Sequence, residues 1–203
     1  MLKDKLENYD FAALFRRKGY AWFVNGAYNL NIIGVRSASG SKVTNKFDDY
    51  FVVAYRDSKG VWQRHVWPCT TEPGLDYMKN PMNKGGTAIV VPGQYRGVWQ
   101  IGIHAGKYRA LVQRKKPIKV YRDANRDDVY DLLPKTICNG IYGINMHRAS
   151  KWGRINAVGK YSAGCQVFAD PNDFNKMMEL ADRQVNGGYG NSFTYTLVRE
   201  EDL

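Results

Sequence analysis

The sequence predicts a β-dominated α+β fold: a mixed β-sheet, as sandwich or barrel, with a helix near each end. Three observations predict it. Aromatic residues make up 13% of the chain, including 14 Tyr and 5 Trp, and aromatics pack well on the pleated, half-buried surface of a sheet. Short apolar stretches recur through the middle of the chain between clusters of Gly, Pro, Asn and Ser, the texture of strands and turns. Extended helical spacing is confined to segments near the two ends, residues 3–18 and 172–184. With 203 residues, 44% of them apolar, the chain suits one domain with its own core. Residues 1–203 therefore read as a single unit, with a helical N-terminal segment at 1–27 and a β-rich body at 28–203.

Taken in order, Leu6, Tyr9, Phe11, Leu14 and Phe15 fall near helical spacing, and Gly19 closes that helix. "YNLNIIGVR" from Tyr28 is strand-like, and "SASGSKVTN" is a loop. "YFVVAYR" and "VWQRHVW" flank "DSKG" as a hairpin. Pro68 to Gly86 reads as a long loop punctuated by Pro and Gly, of the kind that often serves as a binding loop. "TAIVVPGQYRGVWQIGIH" gives two strands around Pro92-Gly93, "ALVQ" and "IKVYR" two short ones, and "GIYGINMH" another that ends at His147. Asn172 is the expected N-cap of the last helix, whose apolar face is Phe174, Met177, Met178 and Ala181. "SFTYTLV" closes the chain as a strand with Phe193, Tyr195 and Leu197 on one face.

Composition excludes several classes. Three cysteines with no CxxC leave at least one free thiol and no disulfide framework or zinc site. The charged start "MLKDKLENYDFAALFRRKGY" lacks the apolar centre of a signal peptide, and no apolar run is long enough to span a bilayer. The expectation is a protein made without a leader, cytoplasmic or virion-associated, that does not insert into membranes. The net charge is +11, and between His104 and Arg126 eight basic residues face one acid, Asp123. Such a stretch suits an anionic polymer, or is a solvated basic face. Nucleic acid is one such polymer, although no recognition motif for it is present.

The chemistry-bearing segment is "GINMHRASKWGRINAVGKYSAGCQVF". Strand alternation puts Asn145 and His147 on one face. Eighteen residues beyond His147 comes Cys165, preceded by Ser162-Ala163-Gly164. A free thiol is a weak nucleophile at neutral pH, and an imidazole in contact activates it and later protonates a leaving amine. Backbone N–H groups beside the nucleophile can hold an oxyanion, and a preceding glycine gives them room. Without that context, a Cys and a His at this spacing read equally as a buried cysteine and a strand histidine.

The pattern His-x(14)-Ser-x-Gly-Cys resembles the catalytic motif of the YkuD-type L,D-transpeptidases, most strongly over residues 140–168. More loosely, "YNLNIIGVR", "IGIHAGKYRALVQ", "VYRDANRD", "GINMH" and "YSAGCQVF" resemble a compact, partly phage-encoded branch. The resemblance implies an L,D-transpeptidase-like fold with Cys165 as nucleophile, His147 as its base, and Ser162 and Gly164 in the nucleophile loop. It implies that Arg148 orients the imidazole through its backbone carbonyl, and that the substrate is a peptidoglycan stem peptide, reached at the cell wall. Two positions depart from the family: Ala163 replaces its second histidine, and Val167 its Arg or Asn two residues past the cysteine. His104 is a candidate replacement imidazole, and His104, Asn145 and Tyr161 are the expected substrate-binding residues.

"RDANRDDVYD" places Asp123, Asn125, Asp127 and Asp131 at the alternating spacing with which calcium loops begin. Asp128 at the sixth position and Pro134 at the twelfth exclude a full EF-hand, leaving a partial calcium loop or an acidic turn. No cofactor is required by the chemistry. Three functions follow: a cysteine-dependent peptidoglycan hydrolase or transferase, a non-catalytic virion or wall-binding protein that keeps the fold, and a basic nucleic-acid binder.

Overall fold

Every residue of the first strand, β1 (Asn31–Arg36), is buried, because the strand is covered on both faces. Ile32 joins the barrel interior. Ile33 and Val35 pack outward under two short helices, α1 (Leu2–Asn8) and α2 (Phe11–Lys18), which contribute Leu6, Phe11, Leu14 and Phe15. Each such large side chain removed from water stabilises the fold by ~1.5–3 kcal/mol. The computed structural model describes residues 1–203.

Strands β2 (Asp49–Arg56) and β3 (Trp62–Thr70) form the expected hairpin, with Arg56 paired to Trp62. A short helix α3 (Leu75–Lys79) leads to β4 (Thr87–Val90), then β5 (Gly93–His104), β6 (Tyr108–Gln113) and β7 (Ile118–Asp123). The short strands β8 (Cys138–Gly140), β9 (Met146–Arg148) and β10 (Gln166–Phe168) precede helix α4 (Pro171–Gln184) and the last strand, β11 (Phe193–Arg199). Eight strands close into a barrel in the order β1-β11-β5-β6-β9-β10-β3-β2, while β4, β7 and β8 form a separate three-stranded sheet. The barrel pairs are antiparallel except β1 with β11 and β9 with β10. The class is thus β-dominated, with few helices.

Phe51 stacks on Phe168 with ring centroids 4.3 Å apart, and Trp99 meets Tyr195 edge-on at 5.4 Å in the barrel core. Phe174, Met177, Met178 and Ala181 of α4 join this core, and so do Ala88, Val90, Ile118 and Val120 of the small sheet. The small sheet thus packs against the barrel strands, and the seam between them holds the site described below. No helix is long and apolar enough to cross a membrane.

Four expectations are corrected. Residues 3–18 form two helices, because the Asp10 carboxylate accepts the Ala13 N–H and caps a second start. The loop after Pro68 is shorter, since β3 runs to Thr70 and α3 interrupts the rest. "GIYGINMH" is broken: Gly143 turns the chain with φ +69°, so only its ends belong to ladders. The cap of α4 is Asp170, which accepts the Asn172 N–H, with Pro171 in the first turn in place of Asn172 as cap.

Candidate active site

Cys165 lies just before β10, where the Gln166 N–H donates to the Asn145 carbonyl (2.9 Å) and sets the two segments side by side. Its turn is shaped by its neighbours. Gly164 has φ +119°, and a Cβ there would run into the Ala88 carbonyl of the small sheet, so glycine is required. Ser162 is fully buried. Its hydroxyl donates to the Cys165 carbonyl (2.7 Å) and accepts the Gly164 N–H (3.1 Å), so it braces the turn. The Cys165 N–H has no acceptor within the protein, which leaves it available to an oxyanion beside the thiol.

Behind the turn stands a residue that the sequence reading passed over. Gln166 is fully buried, and its amide nitrogen donates to the carbonyls of Gly164 (3.1 Å) and Thr71 (3.4 Å). Its amide oxygen accepts the Tyr195 hydroxyl at 2.6 Å. The available signal was an amide next to the cysteine in an otherwise apolar strand, "QVF".

Cys165 Sγ faces the Gly143 carbonyl (3.7 Å) and accepts the Asn145 N–H (3.4 Å). Burial pushes its thiol up to about 11, offset in part by the Asn145 N–H. His147 is buried on β9, and its Nδ1 lies 3.0 Å from the Arg148 carbonyl and 3.4 Å from the Tyr108 hydroxyl. A carbonyl only accepts and the Tyr108 hydroxyl donates to that same carbonyl (3.2 Å), so Nδ1 carries the proton and Nε2 the lone pair. The Arg148 guanidinium lies over the Tyr108 ring at 4.2 Å.

The His104 ring stacks on His147 with centroids 4.0 Å apart and planes at 20°. Asn145 Oδ1 accepts the Gln113 N–H (3.0 Å), which fixes the amide. Asn145 Nδ2 then donates to His104 Nδ1 (3.0 Å), so the His104 proton sits on Nε2. Burial, then the facing His104, pushes His147 down to about 4, against the Arg148 carbonyl. Burial and Lys107 lower His104 as well. At neutral pH the site therefore holds a thiol and two uncharged imidazoles, and the ready-made thiolate–imidazolium pair of a depressed thiol is not its resting state.

These groups share one cavity of about 630 Å³, lined among others by Cys165, His147, His104, Arg122 and Tyr142. A larger groove of about 870 Å³ between the N-terminal helices and the β2–β3 hairpin holds neither thiol nor imidazole. Ala163 lines the same cavity, and Tyr161 stands on its rim, 40% exposed. Val167 does not reach it, being buried with Phe47, Val158 and Ala169. A polar group at that position would be placed in an apolar cluster, which accounts for the apolar residue there.

The structure thus brings Cys165, His147, His104, Asn145, Ser162, Gly164, Arg148 and Tyr161 to one place. Asp123, Asn125, Asp127 and Asp131 do not line the cavity. They gather in a separate turn, where Asn125 Nδ2 donates to Asp127 (2.9 Å) and Asp131 (2.8 Å), and Asp123 accepts the Asp131 N–H (2.8 Å). The eight basic residues of the 104–126 stretch are dispersed: Arg109 pairs with Asp182, Lys116 reaches the Arg96 carbonyl, and Arg122 alone of them lines the cavity. No protein-family model, curated protein or solved structure matches the chain.

Proposed function

We propose that this protein is a cysteine-dependent acyl transferase or hydrolase acting on peptide bonds. Its Cys165 thiol shares a cavity with His147, whose Nδ1–H is held by a carbonyl and whose Nε2 lone pair is free; that observation carries the reading. The thiol attacks the substrate carbonyl while its proton passes to His147 Nε2. The oxyanion of the tetrahedral intermediate takes the Cys165 N–H. The C–N bond then breaks, His147 returns the proton to the departing amine, and a thioester is left on Cys165. Water resolves it to an acid, or an amine resolves it to a new amide.

Both partners start uncharged, so His147 takes the thiol proton within the acylation step, and no standing thiolate is needed. The sequence resemblance to L,D-transpeptidases supports peptidoglycan stem peptides as the substrate and the cell wall as the place of action. With Val167 in a core, His104 Nε2–H is the polar group nearest the missing acceptor-side residues in chemical kind. The test is digestion of purified sacculi or muropeptides with mass analysis of the products, wild type against Cys165→Ala. New or shortened stems from wild type alone support the reading and separate hydrolysis from transfer.

A second reading is a non-catalytic wall-binding or virion protein. The neutral thiol and imidazole, with no hydrogen bond between them, favour it. Under it, the Cys165→Ala protein binds sacculi as wild type does and neither alters them.

A further inference from the structure

The cavity beside Cys165 is lined by two cations, Arg122 and Lys160, and by no carboxylate. Neither cation makes an ion pair. Arg122 is the one with a built position. It lies on β7 directly opposite Ala88 of β4, and Ala88 is the residue whose carbonyl meets Gly164. Residues opposite one another on antiparallel strands project to the same face, so Arg122 stands one strand away from the nucleophile turn.

The guanidinium is held there. Its Nη1 donates to the Gly86 carbonyl (3.1 Å) and its Cζ lies over the Tyr142 ring, 4.5 Å from the centroid. Nε and Nη2 have no acceptor in the protein. A planar fork that is already oriented, half-buried and without an anionic partner matches a carboxylate, which it grips through two parallel hydrogen bonds. Lys160 is exposed at the rim and adds a diffuse positive field. The exposed apolar residues Met82 and Ile141 on the same rim suit the neutral part of a peptide.

We propose that Arg122 is the specificity-determining residue of this site, receiving a carboxylate of the acyl donor whose carbonyl is presented to Cys165. The assignment of a donor rests on the acyl-transfer reading above; the binding of a carboxylate peptide does not, and so it is tested by binding. The protein is Cys165→Ala, which cannot acylate. The probes are dansyl-Ala-Ala-Ala as free acid and as C-terminal amide, and dansyl-Ala-Glu-Ala amide against its Gln counterpart, each in all-L and alternating L,D form, followed by fluorescence anisotropy.

For at least one pair the carboxylate member binds about tenfold or more tightly. Arg122→Met removes that preference, Arg122→Lys retains only part of it, and Lys160→Met leaves most of it. Equal binding of both members of every pair, no binding by any, or a preference that survives Arg122→Met overturns the proposal. A preference lost in Lys160→Met and kept in Arg122→Met overturns it as well. Displacement by millimolar inorganic phosphate as effective as by a matched carboxylate assigns the fork to phosphate and overturns it too. Failure of the acyl-transfer reading shows separately, as an absence of any thioester on wild-type Cys165.

Discussion

The imidazoles of His104 and His147 lie face to face, 4.0 Å between centroids and 20° between planes, in one cavity with the Cys165 thiol. A proton on either ring sits against the other, so the stack opposes the charge that a standing thiolate–imidazolium pair would need.

His104→Ala removes that opposition and loosens the burial of His147. The His147 titration then moves up from about 4, followed by the ring proton shifts across pH. An unchanged titration contradicts the coupling of the two rings.

The sign of the stability effect follows from the same depression. His147 titrates near 4 when folded and near 6.5 when unfolded, so between those values the unfolded chain binds more protons. The stability that the neutral ring preserves is present above about pH 6.5 and is lost as pH falls toward 4, an effect of about 3 kcal/mol. Urea denaturation of wild type and His147→Gln over that window checks it; the acid-side loss should be smaller in the variant by about that amount.

Glu72 works in the opposite direction. Burial lifts its carboxyl to about 8 although the Arg36 guanidinium lies 3.1 Å away. Its folded value exceeds its unfolded one, so its contribution is complete at low pH and is lost as pH rises from about 4 through about 8. Glu72→Gln flattens the alkaline side of the stability profile. Arg36→Met removes the buried guanidinium that donates to Thr71 and faces Glu72 and the buried Asp49, and costs about 3–5 kcal/mol of stability.

Gly164→Ala puts a Cβ into the Ala88 carbonyl at a left-handed backbone position, and costs about 2 kcal/mol or more. Ser162→Ala frees the Gly164 N–H and the Cys165 carbonyl, at about 1–3 kcal/mol. Both variants change the rate of Cys165 alkylation, because both reshape the turn that presents the thiol. Thermal melts and labelling kinetics read the two effects separately.

The sequence was informative where structure is local. The β2–β3 hairpin follows from the two β-forming segments that flank "DSKG", and β11 from "SFTYTLV", whose Phe193, Tyr195 and Leu197 all enter the main core. It was misleading where one side chain decides, as at Asp10, whose cap splits a continuous apolar pattern, and at Gly143, whose φ breaks a strand. Barrel closure was not legible, since β1 pairs with β11 across almost the whole chain. At the site, spacing alone left Cys165 and His147 open to a structural reading; the resemblance of the His-x(14)-Ser-x-Gly-Cys pattern is what paired them, and the two side chains do line one cavity. The Gln166–Tyr195 bond and the Ala88–Arg122 pairing were not, because each joins segments far apart in sequence. The neutral state of the thiol was also hidden, because it is set by burial, which spacing does not encode.

Thiol chemistry gives a prediction of its own. With Cys165 pushed up to about 11, iodoacetamide alkylation climbs about tenfold per pH unit from pH 6 to 9. A plateau below pH 8 would reveal a standing thiolate and contradict the neutral resting state.

The central claim is that Cys165 carries the acyl group. The direct measurement is intact mass and peptide mapping of the protein after brief exposure to purified muropeptides. The account predicts a thioester adduct on Cys165 in wild type, absent in Cys165→Ala and strongly reduced in His147→Ala. Muropeptide products that Cys165→Ala forms as readily as wild type, with no adduct on either, would contradict it.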